Sequence, residues 1–336
     1  MEKGGGGSRS SSRRLAHVPA LDGLRGVAVA AVVWFHAGHL TGGYLGVDLF
    51  FVLSGYLITS LLVLEWADTG RIALGAFWGR RARRLLPALL AMRAVVGLLA
   101  RSEVLPTVLD DLRSAGMATL AYVANWWAIA TGNGYWDQAL APSWLEHTWS
   151  LAIEEQFYVL WPLVVVAVLG WRQLRDPRAG HADDGRAGPR VRRRAVGRLG
   201  MVAGVAALAS ASLMVVGAVA GWSSERLYLG TDTRVAAILA GAWVACRQHG
   251  DVERRELHER TRWVLAVASV VAMLGLAWAY TGLDGADPFL YRGGLAICGL
   301  AAALVIADVT TPGPSLSARV LAVPVLMWLG TISYGL

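Results

Sequence analysis

The sequence has few charged residues and no alternating segments of the kind that build barrels. Charged side chains make up 16% of its 336 residues, while hydrophobic ones make up 55%. That composition is too apolar for one water-soluble domain, and it fits a bundle of helices that each need about 20 apolar residues to cross a membrane. A membrane β-barrel would require repeated ten-residue stretches of alternating hydrophobicity, and we find none. We therefore predict an all-α, polytopic transmembrane helix bundle.

Cysteine is also scarce. Cys246 and Cys298 are the two cysteines of the chain, and each lies in an apolar stretch. Two isolated thiols provide neither a disulfide framework nor metal-ligand spacing. We expect both to pack inside the bundle, and we expect no metal site.

Lysine is limited to Lys3, so arginine carries almost all of the net charge of +7. The arginines cluster between apolar segments, which is the positive-inside pattern of membrane proteins and not a nucleic-acid footprint. The Arg-rich connections 71–84, 171–198 and 247–262 are therefore predicted to be cytoplasmic. Residues 1–19 are basic and Gly/Ser-rich and lack an apolar core with a cleavage site, so they are predicted to be a flexible cytoplasmic tail.

Residues 20–336 are predicted to form a single membrane domain with about nine to ten spans, the last one incomplete, in the cell membrane. The candidate spans are 24–40, 44–64, 85–100, 115–131, 148–170, 199–221, 233–246, 263–281, 289–307 and 320–336. An even number of crossings must separate the two cytoplasmic connections 71–84 and 171–198, yet three segments lie between them. We expect 115–131 to be interfacial or re-entrant, because Asn125, Trp126 and Trp127 suit such a helix.

The stretch from Asp22 to Gly55 carries three polar side chains at depths where an unpaired charge costs about 2.5–3.5 kcal/mol or more. They are Arg25, His36 and Asp48. Arg25 and His36 are eleven residues apart, which places them on one helix face about 16 Å from each other. With the N-terminus inside, His36 and Asp48 are predicted to lie in the outer half of the membrane, at a depth comparable to that of Glu154 and Glu155. This convergence on one layer predicts a site.

His36 has the chemistry of a general base, since imidazole titrates near neutrality; the alternative is a histidine bonded to a packing partner. At least one of Glu154 and Glu155 must face the bundle interior. The spacing puts Glu154, Tyr158 and Trp161 on one face. A proton relay, an ion pair with Arg25 or Arg93, and a pairing with His36 are the alternatives for the glutamates.

Arg80, Arg81, Arg83 and Arg84 form a cationic cluster before an apolar run. It is either a topology and lipid-headgroup determinant or a clamp for a phosphorylated cofactor, with Arg81 and Arg84 on one face. The glycines at 42, 43, 46 and 55 either allow close helix packing or, with Ser54, admit a substrate or cofactor chain. Asp232 and Arg234 are either a local ion pair or the rim of a site.

Five stretches, in this order, resemble the acyltransferase family 3 membrane proteins: LDGLRGVAVAAVVWFH, GGYLGVDLFFVLSGYL, FWGRRARRLLPA, HTWSLAIEEQFYVLWP and YLGTDTR. The resemblance covers most of residues 20–245, and several long motifs in the right order make it specific. It implies an integral-membrane O-acyltransferase that moves an acyl group, commonly acetyl from acetyl-CoA, onto a hydroxyl of an envelope glycan, lipid-linked sugar or secondary metabolite. Acyl-CoA would be a co-substrate, and no cofactor would be bound permanently.

Residue by residue, the family's first-helix arginine and histidine fall on Arg25 and His36, and its Arg-x-x-Arg on Arg81 and Arg84. Its Trp-Ser-Leu and Glu-Glu motif falls on Trp149, Ser150, Leu151, Glu154 and Glu155. We expect Arg81 and Arg84, with Arg80 and Ser54 nearby, to hold acyl-CoA, and His36 to accept the acceptor's proton. Glu154 or Glu155 would orient His36, while Arg25 or Asp48 would fix the polar network.

The terminal LGTISYGL resembles the start of a family helix that normally continues through Tyr-Leu-Trp-His, so we expect a truncated C-terminus. Two rival functions stay open. A proton-coupled transporter or lipid-linked-sugar flippase would use the same Arg, His and Glu residues as a relay. An inactive membrane scaffold would be unaffected by the loss of His36.

Overall fold

The computed structural model of this chain describes residues 17–103, 106–132, 145, 147–175, 189–250 and 259–333, and all regular elements in these ranges are helical. The longer helices in order are α1 (Pro19–His36), α2 (Gly46–Thr69), α3 (Leu74–Glu103), α4 (Pro106–Leu120), α5 (Ala124–Thr131), α6 (Thr148–Arg175), α7 (Pro189–Val219), α8 (Ser224–Leu229), α9 (Thr231–Gly250), α10 (Glu259–Gly282), α11 (Leu295–Thr310), α12 (Leu316–Leu321) and α13 (Pro324–Ile332). A 3₁₀ turn, Gly43–Leu45, precedes α2, and a π turn, Leu290–Gly294, precedes α11.

Five stretches are long and apolar enough to cross a membrane: Gly43–Thr69, Thr148–Gly170, Pro189–Val219, Glu259–Gly282 and Leu290–Thr310. On α7 and α10 large apolar side chains point outward, with Leu208 69% and Leu274 66% exposed. Such faces are stable only against lipid. The all-helical prediction is confirmed, and the chain is a multi-pass membrane protein.

The segment predicted to be interfacial or re-entrant is broken in two. Its parts, α4 and α5, meet at Tyr122, the one non-glycine residue with positive φ (54°) in the described part of the chain. At 15 and 8 residues they extend about 22 Å and 12 Å, and neither reaches across a ~30 Å hydrocarbon core. Gln156 fixes the break by donating to the Tyr122 carbonyl at 2.8 Å and to Asn125 Oδ1 at 3.0 Å. Asn125 is therefore buried in a polar network, whereas the neighbouring Trp126 stays exposed.

Glycines bring the central helices into backbone contact. A Cβ added at Gly55 of α2 would lie 1.7 Å from the Ile238 carbonyl oxygen of α9, and one at Gly241 of α9 would lie 1.9 Å from that of Val52. Gly43 and Gly46 approach the carbonyls of α1 in the same way, and Gly42 approaches Ala279. These positions serve close helix packing and leave no room for a substrate chain.

The region of the predicted incomplete last span, 320–336, contains α13 and the end of α12, two short helices that pack against α1. Here too glycines make the contact: a Cβ at Gly23, Gly26 or Gly330 would meet a carbonyl oxygen of the opposite helix within 2.0 Å. Residues 334–336 lie outside the described part, and α13 has nine residues, about 13 Å.

The Arg-rich connection 171–198 differs from the prediction at both ends. Helix α6 continues to Arg175 and α7 begins at Pro189, so both helices extend beyond the predicted spans 148–170 and 199–221 into this connection. The Gly/Pro-bearing centre, 176–188 with His181, lies outside the described residues, as do the tail 1–16 and 251–258 of the third connection.

Candidate active site

Glu154 lies at the centre of a hydrogen-bonded cluster between α2 and α6. Ser54 Oγ donates to Glu154 Oε1 at 2.8 Å. The Tyr158 hydroxyl, one turn further along α6, donates to Ser54 Oγ at 2.9 Å and lies 3.3 Å from Glu154 Oε2. The predicted face of Glu154, Tyr158 and Trp161 is confirmed, since Trp161 Nε1 also points to α2, donating to Thr59 at 2.8 Å.

Helix α3 brings its arginines to this cluster. Trp78 Nε1 donates to the Tyr158 carbonyl at 3.0 Å and so fixes α3 against α6. One turn on, the Arg81 guanidinium carbon lies 4.1 Å from the centre of the Tyr158 ring, within cation–π range. Arg80 points elsewhere, to Glu65 at 3.8 Å, whereas Arg84 is exposed.

Two polar atoms beside this cluster have unused hydrogen-bonding capacity. Nε of Arg81 and Oε1 of Glu155 are buried, and neither has a partner among the described residues. Arg25 of α1 interacts electrostatically with Glu154 and with Arg84. The side chain of Arg93, which was one predicted partner for the glutamates, lies outside the described residues. We refer to Ser54, Glu154, Tyr158 and Arg81 as the Glu154 cluster.

His36 ends α1 and is exposed. Its Nδ1 lies 2.8 Å from the Val32 carbonyl oxygen, which accepts only if Nδ1 carries the proton. That tautomer, assigned from the hydrogen bond, leaves the lone pair of Nε2 accessible. An accessible Nε2 lone pair is what a general base requires.

A second histidine, His147, precedes α6 and faces His36. Partial burial lowers the pKa of His147 below the ordinary histidine value, and the neighbouring imidazole of His36 lowers it further. At neutral pH His147 is therefore a neutral neighbour of His36 and not a competing charge.

The prediction that His36, Asp48 and the glutamates share one layer is wrong. Glu154 is seven residues beyond His147, about 10 Å along α6, and it lies with Arg25, which is about 16 Å from His36 along α1. The pairing with His36, one of the alternatives for the glutamates, is not made by Glu154, which is held by Ser54 and Tyr158. Two polar layers result, one with His36 and His147, the other with Arg25 and the Glu154 cluster.

Asp48 pairs across the bundle with Arg234 of α9. Two contacts of 3.1 Å join their carboxylate and guanidinium groups, and both side chains are almost fully buried. Arg234 also lies 4.5 Å from the Tyr228 ring centre, with Phe51 and Trp149 further out. Both carboxylate oxygens of Asp48 contact Arg234, and no described contact connects Asp48 to His36.

Of the two alternatives for Asp232 and Arg234, the local ion pair is wrong. Residues two apart point to different sides of a helix, so Asp232 instead pairs with Arg226 at 2.6 Å and 2.8 Å. Arg226 is stacked between Trp126 and Trp222, at 5.2 Å and 4.9 Å. The sequence did not predict these aromatic partners, because Trp126 lies in α5 and Trp222 in the connection between α7 and α8.

Metal ligation has no candidate in the described ranges, where no group of three or more His, Cys, Asp or Glu side chains could hold an ion. Cys246 and Cys298 are both buried and free. Their placement agrees with a packing role.

Comparison with known proteins identifies the family of this chain. The model of the family described as "Acyltransferase domain" matches residues 18–336. The chain is 36% identical over 322 residues to the peptidoglycan O-acetyltransferase OatA of Listeria monocytogenes, covering 95% of this chain and 48% of that protein. It is 36% identical over 330 residues to YrhL of Bacillus subtilis, provisionally named a peptidoglycan O-acetyltransferase, covering 95% and 47%.

A Staphylococcus aureus protein provisionally named an O-acetyltransferase is 34% identical over 331 residues, covering 96% of this chain and 50% of that protein. The chain thus spans about half the length of the curated relatives it matches. No solved structure matches.

Proposed function

This chain belongs to the acyltransferase domain family, and on that premise we propose that it is a membrane O-acetyltransferase acting on a hydroxyl of an envelope carbohydrate. The names of its relatives support acetyl as the group and peptidoglycan or a related glycan as the acceptor. We place residues 20–336 in a single domain of nine to ten spans, with the N-terminus and the Arg-rich connections on the cytoplasmic side of the cell membrane.

Acyl-CoA is the proposed donor. Its phosphates need cationic donors, and Arg81 and Arg84 supply them one turn apart, with Nε of Arg81 still unpaired within the described chain. Arg25, on the facing helix, adds a third cation on the thioester side of the cluster. These arginines support binding of an anionic donor near Arg25, at one end of the polar face of α1.

His36 is the proposed base at the other end of that face. Its Nε2 takes the proton of the acceptor hydroxyl while the hydroxyl oxygen forms a bond to the acetyl carbonyl carbon. The carbon–sulfur bond then breaks, and coenzyme A leaves as a thiolate that takes up a proton. The observation that carries the proposal is the accessible imidazole nitrogen of His36, about 16 Å along one face of α1 from Arg25, which interacts electrostatically with Glu154 of the cluster.

The test compares cells that make this chain, its His36→Ala variant, its His39→Ala variant, or neither. Mass spectrometry of envelope glycans should show an added acetyl group with the chain and with His39→Ala, and a rate about 10²–10⁴-fold lower with His36→Ala. His39 is the matched control, because it is exposed three residues away on the same end of α1.

Label transfer defines the donor. Membranes that contain the chain should move the acetyl group of labelled acetyl-CoA to the glycan. Equal acetylation in the His36→Ala cells would refute the base assignment. Proton-coupled uptake without label transfer, with the protein confirmed in the membrane, would favour the transporter or flippase instead.

A further inference from the structure

An apolar cleft lies outside the proposed active site, where α9 packs against both α7 and α11. Its volume is about 600 Å³. Half of the lining residues are alanine or glycine, including Gly204, Ala207, Ala211, Ala237, Gly299 and Ala303. Small side chains on three neighbouring helices leave a space that the protein itself does not fill.

The cleft is as deep as one leaflet of a bilayer. Along α9 its lining runs from Thr233 to Val244, about 16 Å, close to half of the ~30 Å hydrocarbon core. Its rim faces lipid, with Leu208 69%, Leu300 63% and Trp243 44% exposed. A chain of a neighbouring lipid can therefore enter sideways.

One end of the cleft is polar. Asp48, Thr233 and Arg234 line it, and Nε of the buried Arg234 has no hydrogen-bond partner in the described part of the molecule. Arg292 lies at the same end, three residues before the lining residue Leu295, in the π turn that packs against α7. Arg292 is exposed and forms no ion pair with any described residue.

We propose that this cleft binds one acyl chain of a membrane phospholipid, with the phosphate of that lipid at Arg292. An acyl chain matches the depth of one leaflet, whereas a polyisoprenyl carrier has a much longer chain that would overrun the inner end. A protein helix of the same length, ~10 Å across, would need about twice the volume. A phosphate at the polar end gives Arg292 the anionic partner that the described protein does not supply.

Native mass spectrometry of the purified full chain, incubated with dioleoylphosphatidylglycerol, tests the proposal. The unmodified chain should retain one lipid molecule tightly. Ala207→Phe places a ring in the cleft and should lower retention at least tenfold, while Ala277→Phe on the exposed face of α10 should leave it unchanged. Ala236→Leu, a smaller filling change, serves if Ala207→Phe does not elute as a folded monomer.

The head-group end is tested separately. Arg292→Gln changes no volume in the cleft and should weaken retention of the phosphatidylglycerol about fivefold, with no effect on dioleoylglycerol, which lacks the phosphate. Equal retention by the unmodified chain and both cleft-filling variants would overturn the site. Preferential retention of a polyisoprenyl phosphate, or a dimer in place of bound lipid, would overturn the assigned occupant.

Discussion

The Asp48–Arg234 pair and the Glu154 cluster both place a carboxylate and a guanidinium inside the bundle, but they use them differently. In the pair, both terminal nitrogens of Arg234 are taken by Asp48, and aromatic rings surround the guanidinium. In the cluster, neutral hydroxyls hold Glu154, and Arg81 lies on a ring with its Nε unused by described residues. Nε of each arginine lacks a described partner, but Arg234 has Asp48 as its counter-charge, whereas Arg81 forms no ion pair with a described residue. We infer that the first serves the fold and the second serves binding.

The largest effect should come from breaking the pair. Arg234→Met leaves the Asp48 carboxylate buried without its counter-charge, which should lower the free energy of unfolding by about 3–5 kcal/mol. Unfolding in mixed detergent micelles, followed by circular dichroism, measures it. Arg226→Met is the matched control: its pair with Asp232 is partly exposed, at 24% and 38%, and should contribute at most about 1 kcal/mol.

The double variant Asp48→Asn with Arg234→Met sharpens this result. Neutralising Asp48 removes the uncompensated charge, so most of the lost stability should return. A double variant as unstable as Arg234→Met alone would contradict the role assigned to the pair.

The next effect concerns binding. Arg81→Gln and Arg84→Gln each remove a charge-assisted hydrogen bond to the donor, worth about 1.5–3 kcal/mol, so KM for acetyl-CoA should rise about 10–150-fold. Arg83→Gln is the control, because the exposed Arg83 lies on a different face of α3. Steady-state kinetics should show the higher KM, and thermal unfolding should show an unchanged midpoint. A fall in stability without a change in KM would place these arginines with the Asp48–Arg234 pair.

A smaller effect separates the two functions of Tyr158. Tyr158→Phe removes the hydroxyl that bonds Ser54 but keeps the ring beneath Arg81, and should lower kcat/KM about 2–12-fold. Tyr158→Leu also removes the ring, and should add a rise in KM corresponding to about 0.5–2 kcal/mol. Identical KM values for the two variants would show that the ring does not position Arg81.

The smallest effect is a pH dependence of stability. The pKa of His147 is lower in the folded chain than its ordinary value of 6.5. As the pH falls, His147 therefore takes up a proton at a higher pH in the unfolded chain than in the folded chain. Above pH 6.5 His147 is neutral in both states and the stability of the folded chain is unaffected. As the pH falls from 6.5 towards the lower pKa of the folded state, that stability is progressively lost. His147→Gln should flatten the pH dependence of the unfolding midpoint in this window, and His39→Gln should not. Equal slopes in all three proteins would contradict the assignment.

The sequence predicted the helices well, because long apolar runs with arginines between them permit little else in a membrane. It also predicted that Glu154 and Tyr158 share a face, since that relation is local to one helix. That 115–131 is not one full span was expected from counting crossings, although the break at Tyr122 and its hydrogen bonds to α6 were not.

The partners across the bundle were beyond the sequence. Asp48 bonds a residue 186 positions away, and Glu154 bonds one 100 positions away. Helical spacing specifies the direction of a side chain on its own helix, but not which helix stands opposite. For that reason the sequence left a local pair of Asp232 with Arg234, and a pairing of the glutamates with His36, among the open alternatives. The roles of His36, Glu154, Glu155, Arg25 and Asp48 in catalysis stay predictions, as do those of Arg80, Arg81, Arg84 and Ser54 in donor binding.

The glycine contacts between α1 and α13 bear on how the chain is made. The partner of α1 is synthesised roughly 290 residues after it, so at ribosomal rates of about 5–20 residues per second α1 waits roughly 15–60 s for that partner. During this interval α1 is in the membrane with its glycine surface uncovered. We therefore expect the translocon, a chaperone or the nascent α2 to cover the glycine surface of α1 until α12 and α13 pack against it.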